Sequence, residues 1–296
     1  MMKSGFVSLI GRPNVGKSTL LNAIIGKKVA ITSSTAQTTR NMIQGIYHEK
    51  DLQIIFVDTP GIHKPQNKLG KFLNQQAYYS IHDVDVILFL TDVTQKLGSG
   101  DKFILEKLKE VDVPVILVLN KIDKIPYEMV LPKISEYKDV FPFQEIIPIS
   151  ATKHRNIKEL IQTISNYLTD DVSYYDNHTI TNVSMTFSIS ELIREKVLYF
   201  TKEEVPHSVA CVVEDISEDK NNVSISASII VDRENLKKIL VGKNGSMIKK
   251  IGIESRKDIE ELLNRKVYLD LRVKVVQNWR DKDQFLNQLG YDNFYE

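Results

Sequence analysis

The sequence is poor in cysteine: Cys211 is the only one among its 296 residues. A single thiol excludes an intramolecular disulfide and a zinc site built from cysteines alone. The residue lies in the apolar run 208–213, which is typical of a strand. We therefore expect a buried, unreactive thiol rather than a nucleophile.

Long apolar runs and a strong net charge are also missing. No stretch approaches the roughly 20 apolar residues needed to cross a bilayer. Because the N-terminus leads directly into a strand-like segment, we expect no signal peptide. The net charge of +1 excludes a globally basic nucleic-acid-binding protein but not a local basic patch. We expect a cytoplasmic protein in which any membrane contact is peripheral.

What the chain contains is material for two domains, since domains average roughly 150 residues. The first half alternates apolar runs with helical patterns, which indicates an α/β fold with a mainly parallel sheet and helices on both faces. The predicted strands are Phe6–Ile10, Gly45–His48, Leu52–Asp58, Val86–Asp92, Val115–Asn120 and Glu145–Ile149. The predicted helices are Ser18–Ile25, Lys68–Ile81, Gly100–Glu110, Tyr127–Lys138 and Ile157–Leu168. Nucleotide sites in such sheets lie at the carboxyl ends of the strands.

The second half predicts a smaller α+β domain with the order α-β-β-α-α-β. Its elements are helix Ser190–Thr201, strands Ser208–Ile216 and Asn222–Val231, a short helix before Gly242, helix Ser246–Leu263 and strand Lys266–Val276. The polar residues 170–182 between the halves are expected to be a linker, in which Tyr174 and Tyr175 pack against a neighbour. The domains are therefore expected at residues 1–169 and 183–296.

A complete phosphate-binding loop follows the first predicted strand. Its residues are Gly11, Arg12, Pro13, Asn14, Val15, Gly16, Lys17 and Ser18. Glycines allow successive backbone N–H groups to surround phosphates at the start of a helix. Lys17 is expected to reach the β- and γ-phosphates, and the Ser18 hydroxyl to bind the Mg²⁺ that bridges them. The loop predicts a nucleoside triphosphate site.

Two further segments are expected to respond to the γ-phosphate. In the first, Asp58, Thr59, Pro60 and Gly61 end an apolar strand, so that Asp58 can hold Mg²⁺ through a water and the Gly61 N–H can bond the γ-phosphate. In the second, Gln37–Arg40, a threonine can add its hydroxyl to Mg²⁺ and order the loop with GTP; we choose Thr39 over Thr38. The predicted metal ligands are Ser18, Thr39 and Asp58, and the predicted catalytic residues are Lys17, Thr39 and Gly61.

The base is indicated by two motifs after the later strands. They are Asn120, Lys121, Ile122 and Asp123, followed by Ser150 and Ala151. The Asp123 carboxylate can accept from N1–H and from the exocyclic amine of guanine, a donor pair that adenine lacks. Asn120 is expected to join neighbouring loops, the Lys121 stem to lie along the base, and the 150–151 segment to give a backbone N–H to the guanine oxygen. The predicted nucleotide is GTP.

The position after Asp-x-x-Gly is unusual. GTPases of the Ras type place a glutamine there to orient water, whereas this chain has Ile62, which is counted among the nucleotide-binding residues but cannot polarise water. Hydrolysis is expected to depend on another group or on a water held by the backbone. The Asn14 amide oxygen could help hold K⁺ near the phosphates; a plain turn residue is the equal alternative.

The second domain carries a G-x-x-G loop, formed by Gly242, Lys243, Asn244 and Gly245 between two helices. Such a loop lets a nucleic-acid backbone approach closely, and the lysines around it, above all Lys243, Lys249 and Lys250, are available to phosphates. The apolar residues of these helices could line a groove for bases or belong to the core; they are Ile239, Leu240, Ile248 and Ile251. We expect a cleft for single-stranded RNA.

Together these motifs resemble the Era family of GTPases. The matching segments are Gly11–Ser18, Gln37–Asn41, Asp58–Gly61, Asn120–Asp123 and Ser150–Ala151, then a type II KH module around Gly242–Gly245, Trp279–Arg280 and Leu289–Tyr291. The resemblance implies a P-loop GTPase that binds GTP or GDP with Mg²⁺, contacts the 3′ region of 16S rRNA and acts in rRNA processing and 30S subunit assembly. It also implies contact with the inner face of the cell membrane in some members. We expect a monomer.

One departure and two alternatives accompany the resemblance. Family members often carry basic residues before Gln37, whereas this chain has Ser33, Ser34, Thr35 and Ala36, which puts phosphate or RNA contacts by this segment in doubt. One alternative is a membrane-associated signalling GTPase whose second domain is a protein-interaction platform. The other is a tRNA-modifying GTPase, which would need a catalytic or cofactor-binding partner domain that this chain is too short to show.

Overall fold

The computed structural model describes residues 2–33, 35, 38–62, 65, 67–219, 222–289 and 291. By its internal contacts the chain divides into two units, one within residues 1–182 and one within residues 183–296, with residues 67–69 grouped with the second. In the part of the chain that is described, no helix is both long enough and apolar enough to span a membrane.

The first unit is a six-stranded sheet with helices between its strands. Its strands are β1 (Lys3–Ile10), β2 (Ile43–Glu49), β3 (Leu52–Asp58), β4 (Val86–Asp92), β5 (Val115–Asn120) and β6 (Glu145–Pro148). Its helices are α1 (Lys17–Ile25), α2 (Lys68–Tyr79), α3 (Ser99–Leu108), α4 (Val130–Lys138) and α5 (Ile157–Ser165). The strand order is β2-β3-β1-β4-β5-β6, and only β2 is antiparallel to its neighbour. The expected mainly parallel α/β fold is confirmed.

The central strands explain the continuous apolar runs in the sequence. Every residue of β4 and of β5 is buried, because helices cover both faces of a parallel sheet and leave no solvent side. The carboxyl ends of β1, β3, β4 and β5 lie next to one another in the sheet. The loops that follow these strands, which carry the predicted nucleotide motifs, therefore meet at one edge.

Residues 170–182 are bound to the sheet of the first unit. The Ile46 N–H donates to the Ile180 carbonyl at 3.0 Å, beside an antiparallel bridge between Gly45 and Thr181. As expected, the tyrosine pair packs: Tyr174 meets Phe6 edge-on at 4.9 Å, and the Tyr175 hydroxyl donates to Gln44 Oε1 at 2.5 Å. This segment thus extends the edge of the sheet at β2.

The second unit has the α-β-β-α-α-β order predicted from the sequence. It contains α6 (Met185–Phe200), β7 (Val209–Glu218), β8 (Asn222–Val231), α7 (Glu234–Val241), α8 (Ser246–Leu263), β9 (Lys266–Val275) and α9 (Asp283–Gln288). Strand β8 lies at the centre of the three-stranded sheet, antiparallel to β7 and parallel to β9. This is the arrangement of a type II KH domain, as expected.

Three details of the second unit differ from the expectations. Helix α6 begins at Met185 rather than Ser190, because the Ser184 hydroxyl caps it by accepting from the Phe187 N–H at 3.2 Å. Helix α9 was not expected. Cys211 lies in β7 but is half-buried rather than buried.

Candidate functional site

The predicted phosphate loop and the strand ends around it enclose a cavity of about 340 Å³. The lining comes from the phosphate loop, the segments 31–33 and 38–39, Gly61 and the loop after β5. The lining residues are Pro13, Asn14, Gly16, Lys17, Ser18, Thr19, Ile31, Thr32, Ser33, Thr38, Thr39, Gly61, Lys121 and Lys124. The structure therefore brings the phosphate loop, the 38–39 segment, Gly61 and Lys121 to one cavity. The predicted residues that do not line it include Asp58, Asn120, Asp123, Ser150 and Ala151.

Two glycines of the phosphate loop are required by close approaches. A Cβ at Gly11 would lie 2.5 Å from the Leu90 carbonyl oxygen of β4. Gly16 has a φ of +105°, and a Cβ there would lie 2.3 Å from Asn120 Nδ2. Neither position can hold a larger residue without moving a neighbouring strand end, so the loop is fitted to the sheet edge at both positions.

Lys17 is buried at the start of α1 and held by the loop that precedes it. Its Nζ donates to the carbonyls of Gly11 and Arg12, both at 3.1 Å. Burial lowers the pKa of Lys17 to about 8, although the negative charge of Asp58 acts in the opposite direction. The ammonium thus points along the loop, and its positive charge is only partly balanced by Asp58. This arrangement suits a polyanionic ligand.

The three predicted metal ligands lie within hydrogen-bonding distance of one another. The Ser18 hydroxyl donates to Asp58 Oδ2 at 2.6 Å and lies 2.8 Å from Thr39 Oγ1, and Thr39 Oγ1 also donates to Asp58 Oδ2 at 3.2 Å. Thr38 instead bonds Ser33 and the Thr35 carbonyl. This geometry favours Thr39 over Thr38 as the residue that joins the cluster.

The Asp58 carboxylate fits a divalent cation. It is fully buried, and burial raises its pKa above the ordinary value against the lowering effects of Lys17, Ser18 and Thr39. Its Oδ1 has no hydrogen-bond partner among the described residues. A buried carboxylate oxygen without a partner, next to two hydroxyls, is the donor set that Mg²⁺ prefers, so these residues could hold the ion.

The residues after Asp58 serve the loop in different ways. The Thr59 hydroxyl donates to the Leu9 carbonyl at 2.9 Å. A Cβ at Gly61 would lie 2.8 Å from the Pro13 nitrogen, so Gly61 allows the two loops to touch. The Ile62 side chain is packed in the hydrophobic core with Ile10, and only its backbone could adjoin a nucleotide.

Asn120 joins three loops, as the sequence predicts. Its Nδ2 donates to the Val15 carbonyl at 2.9 Å, and its Oδ1 accepts from the N–H groups of Lys121 and Ala151 at 2.8 and 3.1 Å. The 150–151 segment is expected to give a backbone N–H to the guanine oxygen, and a base that used the Ala151 N–H would have to share it with Asn120. The Ser150 N–H donates to the Arg155 carbonyl.

The two charged residues of the predicted base motif have partners on neighbouring loops. Lys121 Nζ donates to Asp92 Oδ2 at 2.6 Å and to the Asn14 carbonyl at 2.7 Å. Burial would raise the pKa of Asp92, but hydrogen bonds from Lys121 and Thr94 outweigh it and leave that pKa below its ordinary value. Asp123 Oδ1 accepts from the Ser150 hydroxyl at 2.5 Å, which orients the carboxylate.

Other expected residues are placed less directly. The Arg12 backbone belongs to the phosphate loop, where its carbonyl accepts from Lys17. Its side chain instead donates to Asp101 at 2.8 Å and to Gln95 at 3.0 Å. Asn14 has the left-handed φ of 65° that suits a turn residue. Gln37, with Ser34 and Ala36, lies outside the described residues.

In the second unit the G-x-x-G loop is a single 3-10 turn between α7 and α8. Gly242 has a φ of +71°, and a Cβ there would lie 2.8 Å from the Met247 Cβ. Gly245 also has a positive φ, of +76°, but the space around it is open. The turn exposes Lys243 and Asn244, so a phosphate backbone can reach both.

A cleft of about 350 Å³ lies between α8 and the edge strand β9. It is lined by Ile248, Lys249, Gly252, Ile253, Arg256, Tyr268, Leu269, Asp270 and Leu271. Of the three lysines predicted to contact RNA, Lys243, Lys249 and Lys250, only Lys249 lines this cleft. The Lys250 ammonium lies 4.3 Å from the centre of the Phe200 ring of α6, on another side of the helix.

Sequence reasoning missed the aromatic and the arginine of this cleft. Tyr268, whose side chain is 67% exposed, and Arg256 are both suited to stacking on bases. The spacing of Lys249, Gly252 and Arg256 along one helix face was the available signal. Among the four apolar residues considered for the groove, Ile248 lines it, Leu240 and Ile251 are buried in the core, and Ile239 is exposed outside it.

Comparison with known proteins matches both units. A family described as a 50S ribosome-binding GTPase matches residues 6–121, and the KH domain family matches residues 204–280. A crystal structure of Era with MgGDPNP and nucleotides 1506–1542 of 16S ribosomal RNA is 43% identical, covers 98% of this chain and 99% of its own, and superposes with a TM-score of 0.96. An Era variant from Aquifex aeolicus bound to GDP·AlF4⁻ has the same identity and coverages, with a TM-score of 0.95. On 43% identity over 98% of its length, the protein belongs to the Era family of GTPases.

Proposed function

We propose that this protein is a GTP-hydrolysing switch that binds the 3′ region of 16S rRNA and acts in rRNA processing and assembly of the small ribosomal subunit. The observation that carries the proposal is the cluster of Ser18, Thr39 and Asp58, in which one carboxylate oxygen has no hydrogen-bond partner among the described residues. The same chain also contains a KH cleft. The similarity to Era, crystallised with MgGDPNP and 16S rRNA, extends over both units.

The phosphate loop binds the triphosphate through its backbone N–H groups and through Lys17. The Lys17 ammonium, held by its two carbonyl partners, gives its remaining N–H to phosphate oxygens, and the Ser18 and Thr39 hydroxyls, with Asp58, would hold Mg²⁺. When bound, Mg²⁺ neutralises the charge that develops on the β- and γ-phosphates. Asp123, oriented by Ser150, selects guanine by accepting its two N–H groups.

Hydrolysis transfers the γ-phosphoryl group to water and leaves GDP. Ile62 takes no part in positioning that water, because its side chain is packed in the core. The water would be positioned by another group, such as a backbone group of the Thr39 or Gly61 loops. A K⁺ ion held near Asn14 would supply positive charge close to the phosphates. Without a side chain that orients the attacking water, we expect intrinsic hydrolysis to be slow, which suits a switch.

The switch couples the two ligands. GTP orders the Thr39 segment and the Gly61 N–H against the γ-phosphate, and hydrolysis releases both. The KH unit holds single-stranded RNA along the G-x-x-G turn and the α8/β9 cleft. Because its RNA partner is ribosomal, we place this activity in the cytoplasm.

The test separates the two activities in one variant. Gly242→Asp introduces a side chain where a Cβ would already lie 2.8 Å from Met247 and puts a negative charge beside the phosphate path. We expect the affinity for an oligonucleotide of the 16S 3′ end to be lost while GTP hydrolysis stays unchanged. Lys243→Glu, which reverses a charge without straining the turn, should act in the same direction. Unchanged RNA affinity in both variants would contradict the proposal and favour a protein-interaction role for this unit.

A further inference from the structure

The strongest unexplained feature near the nucleotide site is the buried carboxylate of Asp101 in the first turn of α3. It is fully buried, and both of its oxygens are used. Oδ1 accepts from Arg12 Nε at 2.8 Å, and Oδ2 accepts from the Gly98 N–H at 2.9 Å. None of the predicted nucleotide motifs includes α3, so this residue has no role in the site described above.

Asp101 is one of the residues that fix the side chain of Arg12 at the start of α3. Gln95 Oε1 accepts from Arg12 Nη2 at 3.0 Å, so two residues bind the guanidinium. A Cβ at Gly100 would lie 2.9 Å from Arg12 Cδ. The arginine stem therefore lies directly on the start of α3, where only a residue without a side chain leaves room for it.

The charge of Asp101 is needed for Arg12 to sit there. The N-terminus of a helix carries a partial positive charge, and α3 has ten residues. A guanidinium placed at this end is repelled unless a carboxylate in the first turn compensates it. The side chain of Arg12 is 24% exposed and that of Asp101 is 0% exposed, so the pair is screened only partly by solvent.

Because the Arg12 side chain is fixed, the backbone of Arg12, which binds the catalytic lysine, is held in place as well. Its own carbonyl and that of Gly11 accept from Lys17 Nζ at 3.1 Å. The residue whose side chain is fixed by Asp101 is thus the residue whose peptide group aims Lys17. A shift of the Arg12 backbone would move both the phosphate loop and the lysine.

We propose that Asp101 is a positioning residue for nucleotide binding, which acts through Arg12 to hold the phosphate loop and Lys17 in the conformation that accepts phosphates. The inference rests on the proposed GTP-binding function. It assigns Arg12 a role in the loop through its side chain rather than through a contact with the nucleotide.

The test is a double-mutant cycle on the affinity for a fluorescent GDP analogue, measured on the full chain. We expect Asp101→Asn and Arg12→Gln each to raise the Kd by about 10-fold or more, because small misplacements of a binding group are costly. If Asp101 acts through Arg12, the Kd of the double variant should lie within about twofold of the Kd of the single variant that binds less tightly. Arg12→Lys, which keeps a cation for Asp101, should restore much of the affinity.

Glu110→Gln is the matched control, because it removes an exposed carboxylate just after the same helix, from an ion pair with Lys107. The Kd of this variant should be unchanged.

Losses of affinity that add in the double variant would overturn the positioning role, since a general structural defect predicts additivity. Arg12→Gln, at a partly exposed side chain, guards against misfolding of Asp101→Asn: normal affinity in Arg12→Gln alone would also overturn the role. Failure of the unmodified chain to bind GDP would contradict the proposed function itself, and the positioning role with it.

Discussion

The two candidate ligand sites are built in contrasting ways. In the nucleotide site the polar groups Lys17, Asp58 and Asn120 are buried, and each is hydrogen-bonded to other residues of the site. In the KH cleft the lining residues Lys249 and Tyr268 are exposed on a helix face and an edge strand. The first site is preorganised for one small ligand with a defined set of donors. The second offers charge and stacking surface to a flexible strand.

The contrast has an energetic consequence. A preorganised buried site loses much when one group is removed, because its partners are left unsatisfied. An exposed cleft loses little per residue, because water replaces the missing contact. Substitutions in the nucleotide site should therefore weaken binding or hydrolysis more than substitutions in the KH cleft weaken RNA binding.

Removal of the Lys17 ammonium should have the largest effect. Lys17→Ala takes away a charge aimed along the phosphate loop, so we expect GTP hydrolysis to fall by about 100-fold or more. RNA affinity without nucleotide should be unchanged, because the KH cleft is formed entirely by the second unit. Single-turnover hydrolysis and RNA binding measured on the same preparation test this; substantial residual hydrolysis would contradict the assigned role.

Exchange of Asp123 for asparagine should change the choice of base. The amide presents a donor where guanine offers donors, so about 3 kcal/mol of charge-assisted hydrogen bonding is lost, or roughly 100-fold in GTP affinity. Xanthine has a carbonyl where guanine has the amine, and XTP should bind the variant more tightly than GTP does. Competition between the two nucleotides gives the answer, and an unaltered preference for GTP would exclude Asp123 as the base-reading group.

The lowered pKa of Lys17 predicts a pH dependence of nucleotide affinity. Because burial brings this pKa to about 8, the free protein loses the ammonium proton above that pH and must recover it to bind phosphates. The affinity for GDP should be nearly constant up to about pH 7, be about halved at pH 8 and then fall by up to about tenfold for each further unit. Titration between pH 7 and 9 measures this, with Lys17→Arg as the control that keeps its charge; a flat profile in the unmodified protein would contradict the description of Lys17 as incompletely compensated.

The smallest effects are expected in the KH cleft, where Lys249 and Lys250 form a matched pair. Lys249 lines the cleft, whereas Lys250 lies over the Phe200 ring. We expect Lys249→Ala to cost about 1 kcal/mol of RNA affinity and to reduce the salt dependence by about one charge. Lys250→Ala should change neither quantity measurably. Equal losses in the two variants, in a salt series of RNA binding, would show that the cleft is wrongly located.

The sequence predicts the nucleotide site far better than the surroundings that support it. Residues of the phosphate loop are contiguous, and a loop between a buried strand and a helix has few conformations available to it. The contacts of the Arg12 side chain could not be predicted, because Asp101 lies 89 positions away in the sequence. A single acidic residue in a helix turn does not indicate such a partner. The burial of Ile62 in the core likewise depends on how α2 and the central strands pack.

In the KH unit the sequence likewise predicts the elements but not which residues of a helix face the cleft. The order of its elements followed from the hydrophobic pattern, but the pattern did not tell which lysines of α8 face the cleft. Adjacent residues on a helix point about 100° apart, so Lys249 and Lys250 serve different neighbours. The position of β9 beside α8 decides between them, and that contact arises only in the folded domain.

The most direct test of the central claim is the affinity of the full chain for an oligonucleotide of the 16S rRNA 3′ region, measured with a non-hydrolysable GTP analogue and with GDP. A switch that joins the two sites predicts tighter RNA binding with the GTP analogue and release with GDP. Equal affinity in the two nucleotide states, or no binding in either, would contradict the account.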